Sequence, residues 1–359
     1  MRAPYNPFPA VLMLVALLSG CDRAERADQR AGAPGSAAPP TAARIDLVGA
    51  GATFPYPLYA RWFNEFAQRE SVRVNYLSVG SGEGIRLLLA DSVDFGATDA
   101  PMTDAELARS PVPIVHIPTV LGAVAVTYNL PGLDKPLRLS GEVLADIFLG
   151  RITRWNDSRL IALNPGAALP AREIFVVHRA GTSGTSYIFS DYLASVSPAW
   201  KAGPGRGANV RWPVGEAGNG NEGVAGRVKQ TIGAIGYLEV VYARQNFLPV
   251  AHVRNRAGRF ISPMPFEIAS AAASTQVRGG SRDLRMSLVD AGGEQSYPIV
   301  SFTWILIAPQ RIAPTRRAHL IALLRWALRN GEPIAAGLGY VALPTVTANR
   351  VLDLLDTLK

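Results

Sequence analysis

A loop of small, hydroxylated residues lies between a predicted strand and a predicted helix near the middle of the chain. The loop reads HRAGTSGTS and spans residues 178–186. The apolar run at residues 173–177 predicts the strand, and the apolar spacing of residues 187–193 predicts the helix. Backbone N–H groups at a helix N-terminus lack intrahelical partners and lie at the positive end of the dipole. The loop can therefore bind an anion, to which Arg179 would add a permanent charge, or it is an ordinary Ser/Thr cap after a glycine turn.

Polar side chains follow three strands that are predicted earlier in the chain. They are Thr53 after the strand at residues 45–48, Ser81 after residues 72–78, and Asp99 after residues 93–98. In an open α/β sheet, ligands collect at the carboxyl ends of the strands. The glycines before Thr53 are spaced like the start of a dinucleotide-binding motif, but Phe54 occupies the place of the third glycine. We therefore expect a small-ligand site here rather than a nucleotide site.

Strand and helix patterns alternate through the rest of the chain. Separate strands are predicted at residues 113–117 and 122–128, and a buried strand at residues 301–308. Residues 252–300 are less periodic and give only weak helical signals. The alternation predicts the α/β class with mostly parallel strands.

Composition limits the classes of function. With 359 residues, of which 48% are hydrophobic, the chain is long enough for two lobes of ordinary domain size. The formal net charge is +8, but no basic run is interleaved with aromatic residues. This argues against nucleic acid and is compatible with attraction of small anions. Four scattered histidines and a single cysteine offer no metal-ligand spacing and no internal disulfide, so no metal site is expected.

The N-terminus has the pattern of an exported protein. Residues 10–18 form an apolar run too short to span a bilayer, and the next residues end in Ser-Gly-Cys21. This resembles a lipobox, so residues 1–20 are predicted to be a lipoprotein signal peptide and Cys21 the lipidated residue; the alternative is a plain secretory signal. Asp22 favours retention at the inner membrane of Gram-negative bacteria. Residues 21–44 are rich in Ala, Gly and Pro and predict a disordered tether.

Four motifs in register resemble the PstS family, the phosphate receptors of ABC transporters. They are GAGATFP at residues 49–55, VDFGATDAP at residues 93–101, Arg179 with SGTS at residues 183–186, and GAIGY at residues 233–237. The resemblance implies a two-lobe periplasmic-binding-protein fold of type II, each lobe a mostly parallel sheet flanked by helices. Lobe 1 would comprise residues 45–121 and 301–359, and lobe 2 residues 122–300. The chain would cross between the lobes near Leu121 and near Val300, and these crossings would act as hinges.

The resemblance also implies a function and its residues. A periplasmic, lipid-anchored monomer would bind inorganic phosphate and deliver it to the permease and ATPase subunits of a transporter, with no cofactor and no catalytic residue. The phosphate-binding residues carried over are Thr53, Phe54, Ser81, Asp99, Arg179, Ser183, Gly184 and Thr185. Asp99 would accept a proton of the anion in a hydrogen bond, and the others would donate.

Two departures from the family pattern leave the charge balance of the site open. Many members have an aspartate two residues after the arginine, where this chain has Gly181. The second glycine turn, at residues 80–84, usually carries small residues, whereas this chain has Glu83 there. One hypothesis is that Glu83 pairs with Arg179; the other is that it lies exposed on the first turn of a helix. Two other functions are alternatives: a secreted phosphatase with Ser183 as nucleophile, and a sensor or binder of another oxyanion such as arsenate.

Overall fold

The computed structural model describes residues 45–275 and 283–358. The predicted signal peptide, the tether and the lipidation site Cys21 lie outside these described residues. No helix within the described ranges is both long enough and apolar enough to cross a membrane.

Strands and helices alternate along most of the described chain, as the sequence pattern predicts. The strands are β1 (Ile45–Gly51), β2 (Val72–Ser78), β3 (Phe95–Thr98), β4 (Val115–Tyr128), β5 (Arg138–Leu139), β6 (Phe175–Arg179), β7 (Glu216–Gly218), β8 (Ala234–Glu239), β9 (His252–Arg254), β10 (Phe260–Ile261) and β11 (Val300–Ile307). The helices are α1 (Tyr56–Arg69), α2 (Ser81–Leu89), α3 (Asp104–Leu107), α4 (Gly141–Phe148), α5 (Ser158–Leu163), α6 (Gly184–Val196), α7 (Pro198–Ala202), α8 (Gly220–Gln230), α9 (Val240–Gln245), α10 (Pro265–Ala273), α11 (Pro314–Asn330), α12 (Glu332–Leu338) and α13 (Thr345–Asp356).

One sheet of eight strands runs through the molecule in the order β2-β1-β3-β11-β4-β8-β6-β7. The outer strands on each side are parallel to their neighbours, whereas β11, β4 and β8 pair antiparallel in the middle. We call β2, β1, β3 and β11 the first half of the sheet, and β8, β6 and β7 the second half. The α/β class with mostly parallel strands in each half is confirmed.

The long central strand β4 belongs to both halves. It pairs with β11 as far as Ala123 and with β8 from Val124 onwards. The prediction of two separate strands at residues 113–117 and 122–128 is therefore wrong. Pro118, between the two predicted segments, lies opposite Trp304, where a register shift in the pairing accommodates a residue that cannot donate to the ladder. The division into lobes at residues 121 and 300 stays a prediction.

The weakly periodic stretch at residues 252–300 contains more structure than its pattern indicates. Strands β9 and β10 join β5 in a small three-stranded sheet, and α10 follows. Short strands of two or three residues offer too few alternating positions to produce a sequence signal.

Close packing between α2 and β1 positions the second glycine turn. A side chain at Gly84 would come within 2.5 Å of the Gly51 backbone and 2.7 Å of the Ala50 carbonyl. Only glycine at this point of α2 allows the helix to approach the strand so closely. As a result Ser81, the first residue of α2, lies beside Asp99 at the end of β3.

Candidate anion-binding site

The eight residues predicted to bind an anion are all buried, and they lie where strand ends and helix N-termini meet. Gly184, the first residue of α6, faces Ser81 and Asp99 across the two halves: a side chain there would contact the Ser81 hydroxyl and lie 2.7 Å from Asp99 Oδ2. The backbone N–H of Gly82 also crosses, donating to the Thr182 carbonyl at 3.1 Å. The loop that contains Arg179 is therefore in contact with the turn that contains Ser81.

Asp99 is held by a hydroxyl on each side of its carboxylate. Thr303 Oγ1 donates to Oδ1 at 2.8 Å, and Ser81 Oγ lies 3.4 Å from Oδ2. Burial raises the pKa of Asp99 to about 7, although the hydrogen bond from Thr303 and the charge of Arg179 oppose that rise. Near neutral pH this carboxyl group can accept or donate a proton.

Arg179 lies at the end of β6 and is buried, with 4% of its surface exposed. Its backbone N–H donates to the Tyr237 hydroxyl at 3.0 Å, and its Nη1 donates to Thr185 Oγ1 at 3.0 Å. None of the described residues accepts from its Nε, which is buried. Burial lowers the pKa of this guanidinium, and the charge of Asp99 is among the interactions that raise it again. A desolvated cation with free donors is a strong attractor for an anion.

In four hydroxyl groups of the site, the oxygen accepts a hydrogen bond from the protein. The donors are Asn221 Nδ2 to Thr53 at 2.8 Å, the Asp99 N–H to Ser81 at 3.2 Å, the Ser186 N–H to Ser183 at 3.2 Å, and Arg179 Nη1 to Thr185. A hydroxyl that accepts in this way keeps its single hydrogen for another partner, and in Ser81 that hydrogen can go to Asp99 Oδ2 at 3.4 Å. The site is therefore rich in donors.

Backbone groups complete the donor set. Gly184 and Thr185 are the first residues of α6, so their N–H groups have no helical acceptor. The N–H of Ser183 donates to the Ala208 carbonyl at 2.9 Å, so only the hydroxyl of Ser183 is available to donate to an anion. Ser183 is also the N-cap of α6, so the capping interpretation and the binding interpretation are compatible. The carbonyl of Phe54 accepts from the Tyr340 hydroxyl at 2.7 Å, which fixes the adjoining turn.

Comparison with known proteins identifies the family of this site. The family model for a PBP superfamily domain matches residues 34–330. The phosphate-binding protein PstS of Haemophilus influenzae is 40% identical over 322 residues, which cover 89% of this chain and 93% of that protein. The chain belongs to the PstS family of phosphate-binding proteins.

Two solved structures have the same fold as this chain. A high-affinity periplasmic phosphate-binding protein, PfluDING, whose structure contains phosphate, superposes with a TM-score of 0.69 at 21% identity, covering 86% of this chain and 93% of that one. An ABC-type phosphate transport receptor from Vibrio cholerae superposes with a TM-score of 0.55 at 18% identity, covering 83% of this chain and 100% of that one. The likeness confirms the two-lobe periplasmic-binding-protein fold of type II.

The hypothesis that Glu83 replaces the acidic partner of Arg179 found in many PstS proteins is wrong. Glu83 lies on the first turn of α2 and accepts from Arg86 Nε at 2.8 Å and Arg86 Nη2 at 2.6 Å. Three residues apart on a helix, these side chains are neighbours, and the local pair forms more easily than a distant one. Gly181 has φ +64° with open space around its Cα, so the loop turns there in the left-handed region that favours glycine.

His178 does not serve Ser183 as a base in this structure. Successive side chains of a strand point to opposite faces, so His178 points away from the Arg179 side. Its ring stacks on Trp212 with centroids 5.3 Å apart, and its Nδ1 lies 3.1 Å from the Arg179 carbonyl. Ser183 Oγ instead accepts from the Ser186 N–H. The geometry gives no support to the phosphatase alternative.

Sequence reasoning missed the residues that support the site. They are Asn221, Tyr237, Tyr242, Thr303 and Tyr340. A buried Tyr or Thr that holds a neighbour looks in sequence like any other core residue. One signal was available: Tyr237 ends the GAIGY motif of the family resemblance, and its hydroxyl binds both the Arg179 N–H and Ser186 Oγ.

Proposed function

We propose that this chain binds inorganic phosphate outside the cytoplasmic membrane and delivers it to a phosphate ABC transporter. The observation that carries the proposal is the pairing of a donor-rich cluster with one acceptor, Asp99, beside the buried Arg179. Phosphate at neutral pH has oxygens for the donors and at least one hydrogen for the carboxylate. Family membership supports the same ligand.

The number of donors is sufficient for strong binding. A hydrogen bond to a charged group contributes roughly 1.5–3 kcal/mol. Three or four such bonds match the ~8 kcal/mol that micromolar affinity requires, after the losses from ordering.

Calorimetric titration of residues 45–359 with phosphate, arsenate and sulfate tests the ligand. We expect one phosphate per chain, with sulfate bound far more weakly. Equal affinity for sulfate would reject the proposed selectivity, and absence of phosphate binding would reject the function. Arsenate is larger than phosphate but shares its charge and its protonation. Its titration therefore tells whether the site distinguishes the two anions by size.

The proposal is one of binding without turnover. Incubation with a chromogenic phosphate ester should release no product, and Ser183→Ala should leave that result unchanged. Sustained turnover that Ser183→Ala abolishes would instead establish the phosphatase alternative.

We extend the proposal to the location of the protein. Cleavage before Cys21, lipidation of that residue and the tether at residues 21–44 would place the binding domain in the periplasm near the inner membrane, as a monomer beside the permease. Mass spectrometry of the mature protein should find an acylated Cys21. The variant Cys21→Ala should leave the membrane fraction, whereas retention there would contradict the anchor.

A further inference from the structure

Asn221 connects the two halves of the sheet at the anion site. It lies in the first turn of α8, which follows β7 in the second half, and it is fully buried (0% exposed). Its Nδ2 donates to Thr53 Oγ1 at 2.8 Å, and Thr53 follows β1 in the first half. The two residues are 168 positions apart in the chain.

The orientation of the Asn221 amide is set by its second contact. Asn221 Oδ1 accepts from the backbone N–H of Glu239 at 3.0 Å, and a backbone N–H can only donate. The amide oxygen must therefore face Glu239, and the NH₂ group must face Thr53. Consequently the Thr53 oxygen accepts, and its one hydrogen is free to point elsewhere.

The backbone of Thr53 is held from the second half as well. The Tyr242 hydroxyl donates to the Thr53 carbonyl at 2.7 Å. Tyr242 thus restrains where Thr53 lies without touching its hydroxyl. Asn221 differs because it contacts the group that would meet the ligand.

We propose that Asn221 is a positioning residue that makes the Thr53 hydroxyl a hydrogen-bond donor to phosphate when the two halves of the sheet meet. It does so without touching the anion. This inference rests on the proposed function. An anion as rich in acceptors as phosphate is bound by hydroxyl hydrogens and repelled by hydroxyl lone pairs, so the direction of this one hydrogen bond matters for affinity.

The variants Asn221→Asp and Asn221→Ala distinguish polarity from packing. The aspartate keeps the shape and the acceptor for Glu239, but it turns an acceptor towards Thr53 and draws the hydroxyl hydrogen to itself. The alanine removes both contacts and leaves the hydroxyl free to rotate. We expect Asn221→Asp to weaken phosphate binding about a hundredfold and Asn221→Ala about tenfold or less. A packing role predicts the reverse order, since alanine loses more contacts.

A double-mutant cycle with Thr53→Val removes the contribution of the added charge. In the Thr53→Val background the aspartate keeps its charge but has no hydroxyl to reorient, so its effect should shrink at least fivefold. Thr53→Ser retains a hydroxyl and should retain the full effect. Tyr242→Phe is the matched control: it removes the other bond to Thr53 and should change phosphate affinity equally in both backgrounds. Each variant is titrated by calorimetry after its thermal melting curve is recorded.

The outcomes separate this inference from the proposed function. Loss of the Asn221→Asp effect in the Thr53→Val background supports the inference. An equal effect in both backgrounds, or a larger loss for Asn221→Ala, overturns it while phosphate binding by the unmodified protein still stands. An unmodified protein with no affinity for phosphate overturns both.

Discussion

Thr303 Oγ1 donates to Asp99 Oδ1 at 2.8 Å across 204 residues of sequence. The bond brings β11 and the end of β3 together and assigns a role to each oxygen of the carboxylate. Oδ1 is occupied by Thr303, while Oδ2 lies on the side of Ser81 and Gly184. Under the proposed function, Oδ2 is therefore the oxygen that would accept a hydrogen of the ligand.

Asp99→Asn should relax the discrimination against sulfate. Thr303 will continue to donate to the amide oxygen, so the NH₂ group will replace Oδ2 and can donate to an anion without hydrogens. At a pH above the pKa of about 7, the ionised Asp99 should reject an anion without hydrogens, as sites built around a ligand's hydrogen do by about 10⁴–10⁵. Sulfate affinity should therefore rise relative to phosphate in competitive calorimetry. An unaltered ratio would mean that Asp99 is only a turn residue.

Thr303→Val should lower the pH-dependent discrimination of phosphate against sulfate. The hydrogen bond from Thr303 lowers the pKa of Asp99, so its removal should move that pKa above about 7. More Asp99 is then protonated at pH 7 and can donate to sulfate. We expect the phosphate-to-sulfate affinity ratio at pH 7 to fall about threefold to tenfold.

Thr119→Val is the control for Thr303→Val. Thr119 Oγ1 donates to the Thr303 carbonyl at 3.2 Å, and among the hydrogen bonds of the described residues it makes none to the Asp99 carboxylate. The same loss of discrimination in both variants would show that core packing, rather than the bond to Asp99, sets the pH response.

The anion-free protein should lose stability as pH rises towards 7. The pKa of Asp99 is about 7 when folded, against 3.8 for an ordinary aspartate, so the folded chain binds the extra proton between these values. The free energy of unfolding gained from this group is fully present below about pH 4 and is lost as pH rises through about 7. Differential scanning calorimetry should show this decline, and Asp99→Asn should flatten it. A decline of equal size in that variant would assign it to other groups.

Gly184→Ala should abolish tight binding, because the added methyl group keeps the loop of Gly184 away from Ser81 and Asp99. A methyl group there would meet Ser81 and Asp99, and Asp99 is pinned by Thr303, so the loop and the turn can no longer meet. We expect phosphate affinity to fall by at least about a hundredfold. Gly226→Ala in α8, where nothing lies within 4 Å, is the control and should stabilise the chain by ~0.5–1 kcal/mol. Equal affinities in the two variants would contradict the observed contact at Gly184.

Binding should make the particle more compact. Donors to the anion come from both halves of the sheet, so entry requires separation, and the crossings near Leu121 and Val300 are the predicted hinges. Small-angle scattering should give a smaller radius of gyration at saturating phosphate. An unchanged profile would indicate that the halves already meet before the anion arrives.

Local patterns predicted much of the fold, and the motifs predicted eight residues that are all buried in the structure. Strand β2 has the predicted bounds of residues 72–78. Thr303 and Asn221 were missed because one lies within an apolar strand and the other within a glycine-rich stretch, and their partners are far away in sequence. Of the two hypotheses for Glu83, pairing with Arg179 is wrong because Arg86, three residues on, is the nearer partner.

The position of β11 constrains how the chain acquires its structure. This strand lies between β3 and β4 in the sheet and pairs with both. In the chain, however, the whole second half of the sheet is synthesised after β4 and before β11. A nascent chain that has produced β1 to β4 still lacks the strand that joins β3 to β4. Such non-local pairing slows folding, because a long loop must close before the contacts form. The first half can therefore complete its sheet only after residues 300–307 have left the ribosome, whereas β8, β6 and β7 can pair with β4 and with each other before then.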